Sequence, residues 1–496
     1  MTAIASDPIL SCDEARELEK KLFGANEELE WAAMQRAGRA IAEAVLRDFE
    51  EIGGFPADGR VLVLAGKGHN GGDALMAAGF VLEKFPAAEA EVIFAFGERA
   101  LRPLVKRAWR QLTQAASGRV ATGDVAGHEP ADRNAGRCDL CLDGIFGFQF
   151  RPPADAKIAT LIARVNERAI RLRAAVDLPS AGLFRADFTY ATGSVKLPAI
   201  EQEAAGRLRY LDLGFFGERA EGGSRVLAPA VLAPLAKFRP ARCDKRSFGH
   251  LFVVGGSRSF PGAVLMSALA AMRSGAGLVT AFVPESLQPA YAARLPEAIW
   301  VGWPETPDGG LALEGMHLLR ERLERADALV VGPGIGREKE TRALVREMVT
   351  SVKVPVLLDA DALQEEIVRA ATTHLVVTPH AGEFKRIAGA TKLEDFAGET
   401  GATVVLKGPV TRIAGGRTVY HSFFGGPVLA RGGSGDLLSG MIGTQLAQSP
   451  DEPALAAARG VVWHGLAAES LARASGQVAV QTTELLDHLA AVLREL

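Results

Sequence analysis

One repeated pattern constrains this chain more than any other: a short apolar run, a glycine or aspartate at its end, then a segment with helical spacing. It occurs at RVLVLAG (60–66), AEVIFAFG (90–97), CDLCLDGIFG (138–147) and RAAVDLPS (173–180). It resumes at HLFVVGG (250–256), GLVTAFVP (277–284), ALVVGPG (328–334), PVLLDAD (355–361), HLVVTPH (374–380) and ATVVLKG (402–408). Such alternation predicts parallel sheets with helices on both faces, and in such sheets ligands sit at the carboxyl ends of the strands. Between the two series the pattern lapses into a stretch rich in Gly, Pro and Ala. The expected class is therefore α/β in two domains, 1–217 and 241–496, joined by a connecting segment at 218–240. A length of 496 residues fits that count.

Two helices are legible ahead of the first series. Ser11 and Glu14 form a capping-box pattern for a helix from Asp13 to about Lys21. Ala33, Ala37, Ile41, Val45 and Phe49 recur at a spacing of four and mark the buried face of a helix over 28–50.

Several function classes are disfavoured. With 56 Lys and Arg against 59 Asp and Glu, the net charge is -3, and no basic stripe interleaves with aromatics, so no nucleic-acid partner is expected. No run reaches the roughly 18 apolar residues of a membrane helix, and the N-terminus lacks a signal-peptide pattern. Cys138 and Cys141 form a C-x-x-C without a second pair or nearby histidines, so they read as small apolar residues in a buried strand rather than a metal knuckle. Sparse cysteine suits a reducing, cytoplasmic location.

The sharpest chemical signal is ARGGSGDLLSGMIGTQLAQ (430–448). Gly432, Gly433 and Gly435 strip side chains from a loop that leads into a helix opened by Asp436. Unpaired amides at a helix start, with its positive dipole end, make an anion site. A carboxylate there repels phosphate and so asks for a purpose: to act as base toward a hydroxyl held beside a transferring phosphoryl group. Alone, it equally reads as a helix cap. Lys407 and Gly408 directly follow a buried strand, where a lysine reaches phosphate as a point charge; alone, Lys407 reads as a solvated hairpin residue. Gly332, Gly334 and Gly336 form a glycine loop that a tight turn explains as well. Asp359 and Asp361 stand at a strand end, as parts of a polar network, holders of a solvated metal ion, or helix caps. His380 falls in a loop at the ligand edge, with Glu383 one turn on, placed to orient magnesium-bound water.

The ordered set GGSRSFPGAV, RSGAGLVT, GPGIG, DADAL, TPHAGE, LKG and GGSGD over 245–490 resembles the ADP- or ATP-dependent NAD(P)H-hydrate dehydratases, a ribokinase-like group. The resemblance implies a ribokinase-like fold and dehydration of the S form of hydrated NADH or NADPH, with ADP or ATP and Mg2+. It implies Asp436 as catalytic acid/base. It implies nucleotide contacts at Lys407, Gly408, Pro409, Val410, Thr411 and Gly435. Contacts to the hydrated cofactor are implied at Ala263, Gly334, His380 and Asp436. Ser434 replaces the threonine usual in that glycine loop.

In the first half, VLVLAGKGHNGGDALMAA (61–78) runs strand, glycine loop, helix, and Asp143, Asp177 and Ser180 follow two further strands. This set resembles the NAD(P)H-hydrate epimerases, which have a Rossmann-like doubly wound sheet. The resemblance implies R/S epimerisation of the hydrate. Substrate contacts are implied at His69, Asn70, Gly71, Gly72, Asp73 and Asp177, with Asp177 catalytic. It also implies a K+ ion on Asn70, Asp143 and Ser180, and oxygen donors suit such a hard cation. Three departures stand out. His69 occupies an Asn position, Ala181 replaces a glycine, and GIFGFQFRPP replaces a small GTG turn, so that Phe148 and Gln149 are expected to crowd the phosphate loop. The expected partners are small molecules, namely hydrated NADH or NADPH and the nucleotide, and the expected assembly is a homo-oligomer. The alternatives are a ribokinase-like kinase that stops after phosphorylating a small alcohol, and a repair dehydratase with an inactive first domain.

Overall fold

The computed structural model describes residues 2–24, 26–123, 138–217 and 222–496. The chain divides into two compact units: Asp7–Glu218 with Ala472–Gly476, and Met1–Ser6 with Arg219–Leu471 and Gln477–Leu496.

The first unit opens with β1 (Ser6–Leu10), α1 (Cys12–Phe23) and α2 (Glu27–Phe49). Ser11 and Glu14 cap α1 reciprocally as their spacing predicts, and Ala33, Ala37, Ile41, Val45 and Phe49 are buried along α2. There follow β2 (Arg60–Ala65), α3 (His69–Lys84), β3 (Glu89–Phe94), α4 (Pro103–Ala115), β4 (Val120–Gly123), β5 (Cys138–Gly144), α5 (Ala156–Glu167) and β6 (Ile170–Val176). The unit closes with β7 (Phe188–Thr192), β8 (Val195–Lys196), α6 (Leu197–Glu201) and β9 (Arg207–Leu211). Seven strands pair in parallel in the order β4-β3-β2-β5-β6-β7-β9. Both faces are covered, which is why the strands read as continuous apolar runs. Val61 and Val63 enter one core cluster with residues of α2, α3 and α4, and Leu62 and Leu64 enter another with residues of α5. Cys138 and Cys141 are buried in that second cluster.

The second unit contains β10 (Gly223–Leu227), β11 (His250–Val254), α7 (Pro261–Arg273), β12 (Leu278–Pro284), α8 (Gln288–Arg294), β13 (Ile299–Trp303), α9 (Met316–Arg320), β14 (Ala328–Val331) and α10 (Lys339–Ser351). It continues through β15 (Val356–Leu358), α11 (Glu365–Ala370), β16 (Leu375–Val377), α12 (Ala381–Ala388), α13 (Leu393–Thr400), β17 (Thr403–Leu406), β18 (Thr411–Gly415), β19 (Thr418–Ser422), α14 (Ser434–Gln448), α15 (Pro453–Ser475) and α16 (Leu489–Arg494). Its strands run β13-β12-β11-β14-β15-β16-β17-β18-β19-β10. They are parallel from β13 to β17, and the β17–β18 and β18–β19 pairs are antiparallel. Part of the segment read as a connection is thus sheet: β10 pairs with β19. Residues 218–221 of that segment lie outside the described residues.

Each sheet has one point where the strand order reverses, between β2 and β5 and between β11 and β14. A crevice opens at the carboxyl end of such a point, and the glycine loops after these four strands all lie there.

Helix α14 packs on α7 through a glycine. A Cβ on Gly440 would stand 2.1 Å from the carbonyl oxygen of Ser267, which is backbone and cannot yield. Gly440→Ala is therefore expected to lower stability by about 1–3 kcal/mol, the usual cost of overpacking, despite the better helix propensity of alanine. Chemical denaturation of the two proteins side by side checks this.

Candidate active sites

In the second unit the site grows from the start of α14. The N-cap Gly433 adopts φ 90°, a left-handed turn that glycine allows. The helix begins at Ser434, so Asp436 is its third residue and not its first, a correction to the expectation from sequence. Leu437 donates back to Gly433, but among the described residues the amides of Gly435 and Asp436 donate to no carbonyl. They are the free donors that a helix start offers an anion.

Lys407 meets this helix start from the end of β17. Its Nζ lies 3.0 Å from Asp359 Oδ1 and 3.2 Å from where a Cβ on Gly435 would stand. Asp359, almost fully buried, also accepts from Thr378 Oγ1 at 2.8 Å. It therefore belongs to a polar network, and its side chain accepts no capping bond from a helix start. Asp361 instead pairs with Arg337. Burial opposes the charge of Lys407, but Asp359, Glu383 and Asp436 outweigh it and raise the pKa. Burial and the neighbouring Asp359 push Asp436 up to about 7, partly offset by Lys407. A carboxylate poised near neutrality suits proton transfer. Behind the loop, His464 is buried and its pKa falls to about 4, so it is neutral.

The other sequence-predicted residues of this unit fall as follows. Gly408 and Pro409 are exposed in the β17–β18 hairpin, with Val410 and Thr411 beside them. Gly334, at φ 66°, approaches α7 so closely that a Cβ would stand 3.0 Å from that of Ala263. Ser257 Oγ donates to the Gly334 carbonyl at 2.8 Å. Ala263 and Gly334 thus meet at the β11/β14 switch point. His380 caps α12: its Nδ1 accepts from the amides of Gly382 and Glu383, and Glu383 Oε2 accepts from the His380 amide at 2.8 Å. The histidine ring stays exposed.

Gly435 gives a direct test of close approach. A methyl at 3.2 Å from a flexible ammonium is tight but tolerable. Gly435→Ala is expected to fold normally while raising the KM for the nucleotide about tenfold, near 1.4 kcal/mol of binding; steady-state kinetics and a melting curve check both halves.

In the first unit a cavity of about 520 Å3 opens at the β2/β5 switch point, lined among others by His69, Asn70, Asp73, Phe148 and Asp177. His69 to Asp73 form the first turn of α3 rather than a free loop. Gly71 is required there, since a Cβ would stand 2.3 Å from the Gly66 carbonyl oxygen. Phe148 and Gln149 line the cavity without closing it, which corrects the crowding expected from sequence. Phe148 is buried, with Lys196 Nζ 5.3 Å from its ring. Asn70 Nδ2 donates to the Val176 carbonyl at 2.9 Å, and its Oδ1 faces Gly147. Asp143 accepts from Ser180 Oγ at 2.6 Å and from the Ser180 amide at 2.8 Å. Burial raises its pKa to about 6 despite those bonds.

Asp177 carries strained backbone, with φ 63°, a conformation that clusters at functional sites. Its Oδ1 accepts from the amide and Oγ1 of Thr192, and Lys196 Nζ lies 3.0 Å from Oδ2. Ala181, in the position where a glycine was expected, likewise takes φ 57°. Sequence reasoning missed Lys196, Thr192 and Glu19, another cavity residue. Only the polar tail of α1 and a lysine ending a short strand signalled them.

Comparisons with known proteins follow the same division. A family described as NAD(P)H-hydrate dehydratase matches residues 251–491, and one described as YjeF-related protein N-terminus matches residues 31–201. A protein of Gloeobacter violaceus named bifunctional NAD(P)H-hydrate repair enzyme Nnr is 37% identical, over 95% of each chain. Its namesake in Moorella thermoacetica is 35% identical, over 93% of this chain and 92% of its own. A crystal structure of the ADP/ATP-dependent NAD(P)H-hydrate dehydratase of Bacillus subtilis, co-crystallised with ATP and Mg2+, is 29% identical. It covers 52% of this chain and 93% of its own, with a TM-score of 0.46.

Proposed function

We infer the chemistry from one premise: the chain belongs to the bifunctional NAD(P)H-hydrate repair enzymes. It returns hydrated NADH and NADPH to use, through an ADP- or ATP-dependent dehydratase in the second unit and an epimerase in the first. The observation that carries the residue-level reading is the meeting of Lys407, Asp436 and the bare face of Gly435 at one helix start.

Hydration leaves a hydroxyl on the nicotinamide ring, and hydroxide is a poor leaving group. Asp436 takes the proton of that hydroxyl as it attacks the terminal phosphoryl group of the nucleotide. The free amides of Gly435 and Asp436, with the Lys407 ammonium, stabilise charge on the moving group. The phosphorylated hydroxyl then leaves as phosphate, and the conjugated dihydropyridine returns. Ala263, Gly334 and His380 hold the hydrated ring and its tail, and the 407–411 hairpin holds the nucleotide. Magnesium keeps most of its waters and takes few carboxylates. Asp359 and Glu383 are placed to orient such waters, and the ion supplies charge neutralisation on the phosphates.

In the first unit, the α3 turn from His69 to Asp73 receives the phosphates of the hydrate, and Asp177 faces its ring. Asn70, Asp143 and Ser180 would offer a potassium ion oxygen donors, Asp143 and Ser180 being hydrogen-bonded to each other, and the ion would supply a fixed positive charge.

Separate R and S hydrates, each with and without ADP or ATP, test the reading. Recovery of the reduced-nicotinamide absorbance from S only with nucleotide, and conversion of R to S without it, are the expected results. A stable phosphorylated alcohol in place of absorbance favours the kinase alternative, and an R hydrate left untouched overturns the epimerase half.

A further inference from the structure

Epimerisation at this ring makes a demand that Asp177 alone does not meet. Adding water across an enamine places the hydroxyl on the carbon bonded to nitrogen. The direct route to inversion at that carbon breaks the C–O bond and forms it again on the opposite face. The proton that leaves with water, and is recovered when water returns, needs a carrier. Both oxygens of Asp177 are already engaged, Oδ1 by two donors of Thr192 and Oδ2 by Lys196. Paired with Lys196 and held by Thr192, it is suited to steadying a cationic ring rather than to carrying a proton.

Four other carboxyls line the same cavity, Glu19, Glu30, Asp73 and Asp155. Glu30 lies 3.4 Å from His69 and Asp155 caps α5, which leaves Glu19 and Asp73. Among the described residues neither has a hydrogen-bond partner, although Asp73 is only 8% exposed. An unpartnered polar group at that depth calls for a ligand. Glu19 comes from α1, outside the residues matched by either family.

We propose that Glu19 is the proton carrier of the epimerase, working in the same cavity as Asp177. The protonated carboxyl gives its proton to the hydroxyl on the carbon beside the ring nitrogen. The C–O bond breaks, water leaves, and the nitrogen lone pair forms a C=N bond whose positive charge lies near Asp177. Water then adds to the other face, the C=N electron pair returns to nitrogen, and Glu19 recovers the proton. No oxidant or further reactant is consumed.

The surroundings suit that cycle. Burial, together with Asp177 and Glu30, raises Glu19 to about 7 against the pull of Lys196. It is half protonated near neutral pH, the useful condition for a group that both gives and takes a proton. Asp73 lies deeper, and burial with Asp177 and Glu19 raises its pKa well above the ordinary carboxylate value, with Lys196 opposing. Lys67, Arg102, Arg151 and Asp155 also line the cavity, and His69 Nε2 lies 3.4 Å from Glu30.

This inference rests on the epimerase reading, and the full-length protein separates the two. Glu19→Gln keeps size and polarity but carries no proton. It is expected to lower kcat for R-to-S conversion about 100-fold with KM little changed, within the usual contribution of acid–base catalysis. The wild-type fall in kcat above about pH 7, as Glu19 loses its proton, is expected to vanish with it, and Glu19→Asp is expected to restore part of the rate. Nucleotide-dependent dehydration of the S hydrate, in the other unit, should be unchanged, and hydrogen exchange over 170–196 reports folding of the first unit. If the wild type converts R and Glu19→Gln does so within threefold, the proton-carrier role is wrong while the epimerase stands. If the wild type leaves R untouched, both fall.

Discussion

Asp436→Asn is expected to abolish dehydration of the S hydrate, lowering kcat by about 1,000-fold, while R/S epimerisation continues at the wild-type rate. The magnitude follows from proton transfer, which contributes roughly 10²–10⁴-fold when one positioned group carries it. The amide is nearly isosteric and sits in the first turn of α14, so the fold is expected to survive. No ion pair is broken, because Lys407 is held by Asp359. A residual slow reaction is expected from the amides and the ammonium, which still bind the phosphoryl group. The first unit serves as an internal control, since its cavity is built wholly from its own residues. Paired assays on separate R and S hydrates give both numbers from one preparation.

The second large effect is expected at Asp177. Its side chain and that of Lys196 are 6% and 2% exposed. Removing one member of a buried ion pair leaves the other charge uncompensated, at a cost of about 3–5 kcal/mol. Asp177→Asn is therefore expected to destabilise the first unit by about 3 kcal/mol, the lower figure because the amide oxygen still accepts from Thr192. Epimerisation is expected to fall by at least about 100-fold with the loss of the charge that steadies the ring. The double change Asp177→Asn with Lys196→Met removes both charges. It is expected to recover most of the stability and none of the activity, because buried pairs are seldom net stabilising relative to apolar replacements. Hydrogen exchange over 170–196 and the R-hydrate assay distinguish these outcomes. Recovered activity in the double variant excludes the catalytic role.

The two sheets were legible in sequence because each strand is an unbroken apolar run ended by Gly or Asp. Residues such as Val61 and Leu62 point to opposite faces, and both faces are buried. β10 was not legible, since a five-residue strand among Gly, Pro and Ala takes its register from long-range pairing, as with β19. The start of α14 was misplaced by two residues because Ser434 and Gly435 read as loop, whereas the left-handed turn at Gly433 already sets the helix going. Lys407 was visible as a lysine at a strand end, but its partner Asp359 lies 48 residues away and pairs with it only through adjacent loop ends. Glu19 and Lys196 carry only a faint local signal. A glutamate on a polar helix and a lysine ending a two-residue strand look solvated until the fold encloses them. The crowding expected from Phe148 failed for a similar reason, since its ring packs into the wall under Lys196 and leaves the cavity open.

The joint action of Asp436 and Lys407 is tested most directly by the pH dependence of kcat for S-hydrate dehydration, in the wild type and in Lys407→Met. A base must be ionised to act, so the wild-type rate should rise with pH through about 7, where burial and Asp359 place Asp436. Loss of the ammonium removes the one neighbour that lowers this value, so in Lys407→Met the rise should move to higher pH. A wild-type profile flat from pH 5.5 to 8.5, or a rise that stays in place without the lysine, contradicts the account.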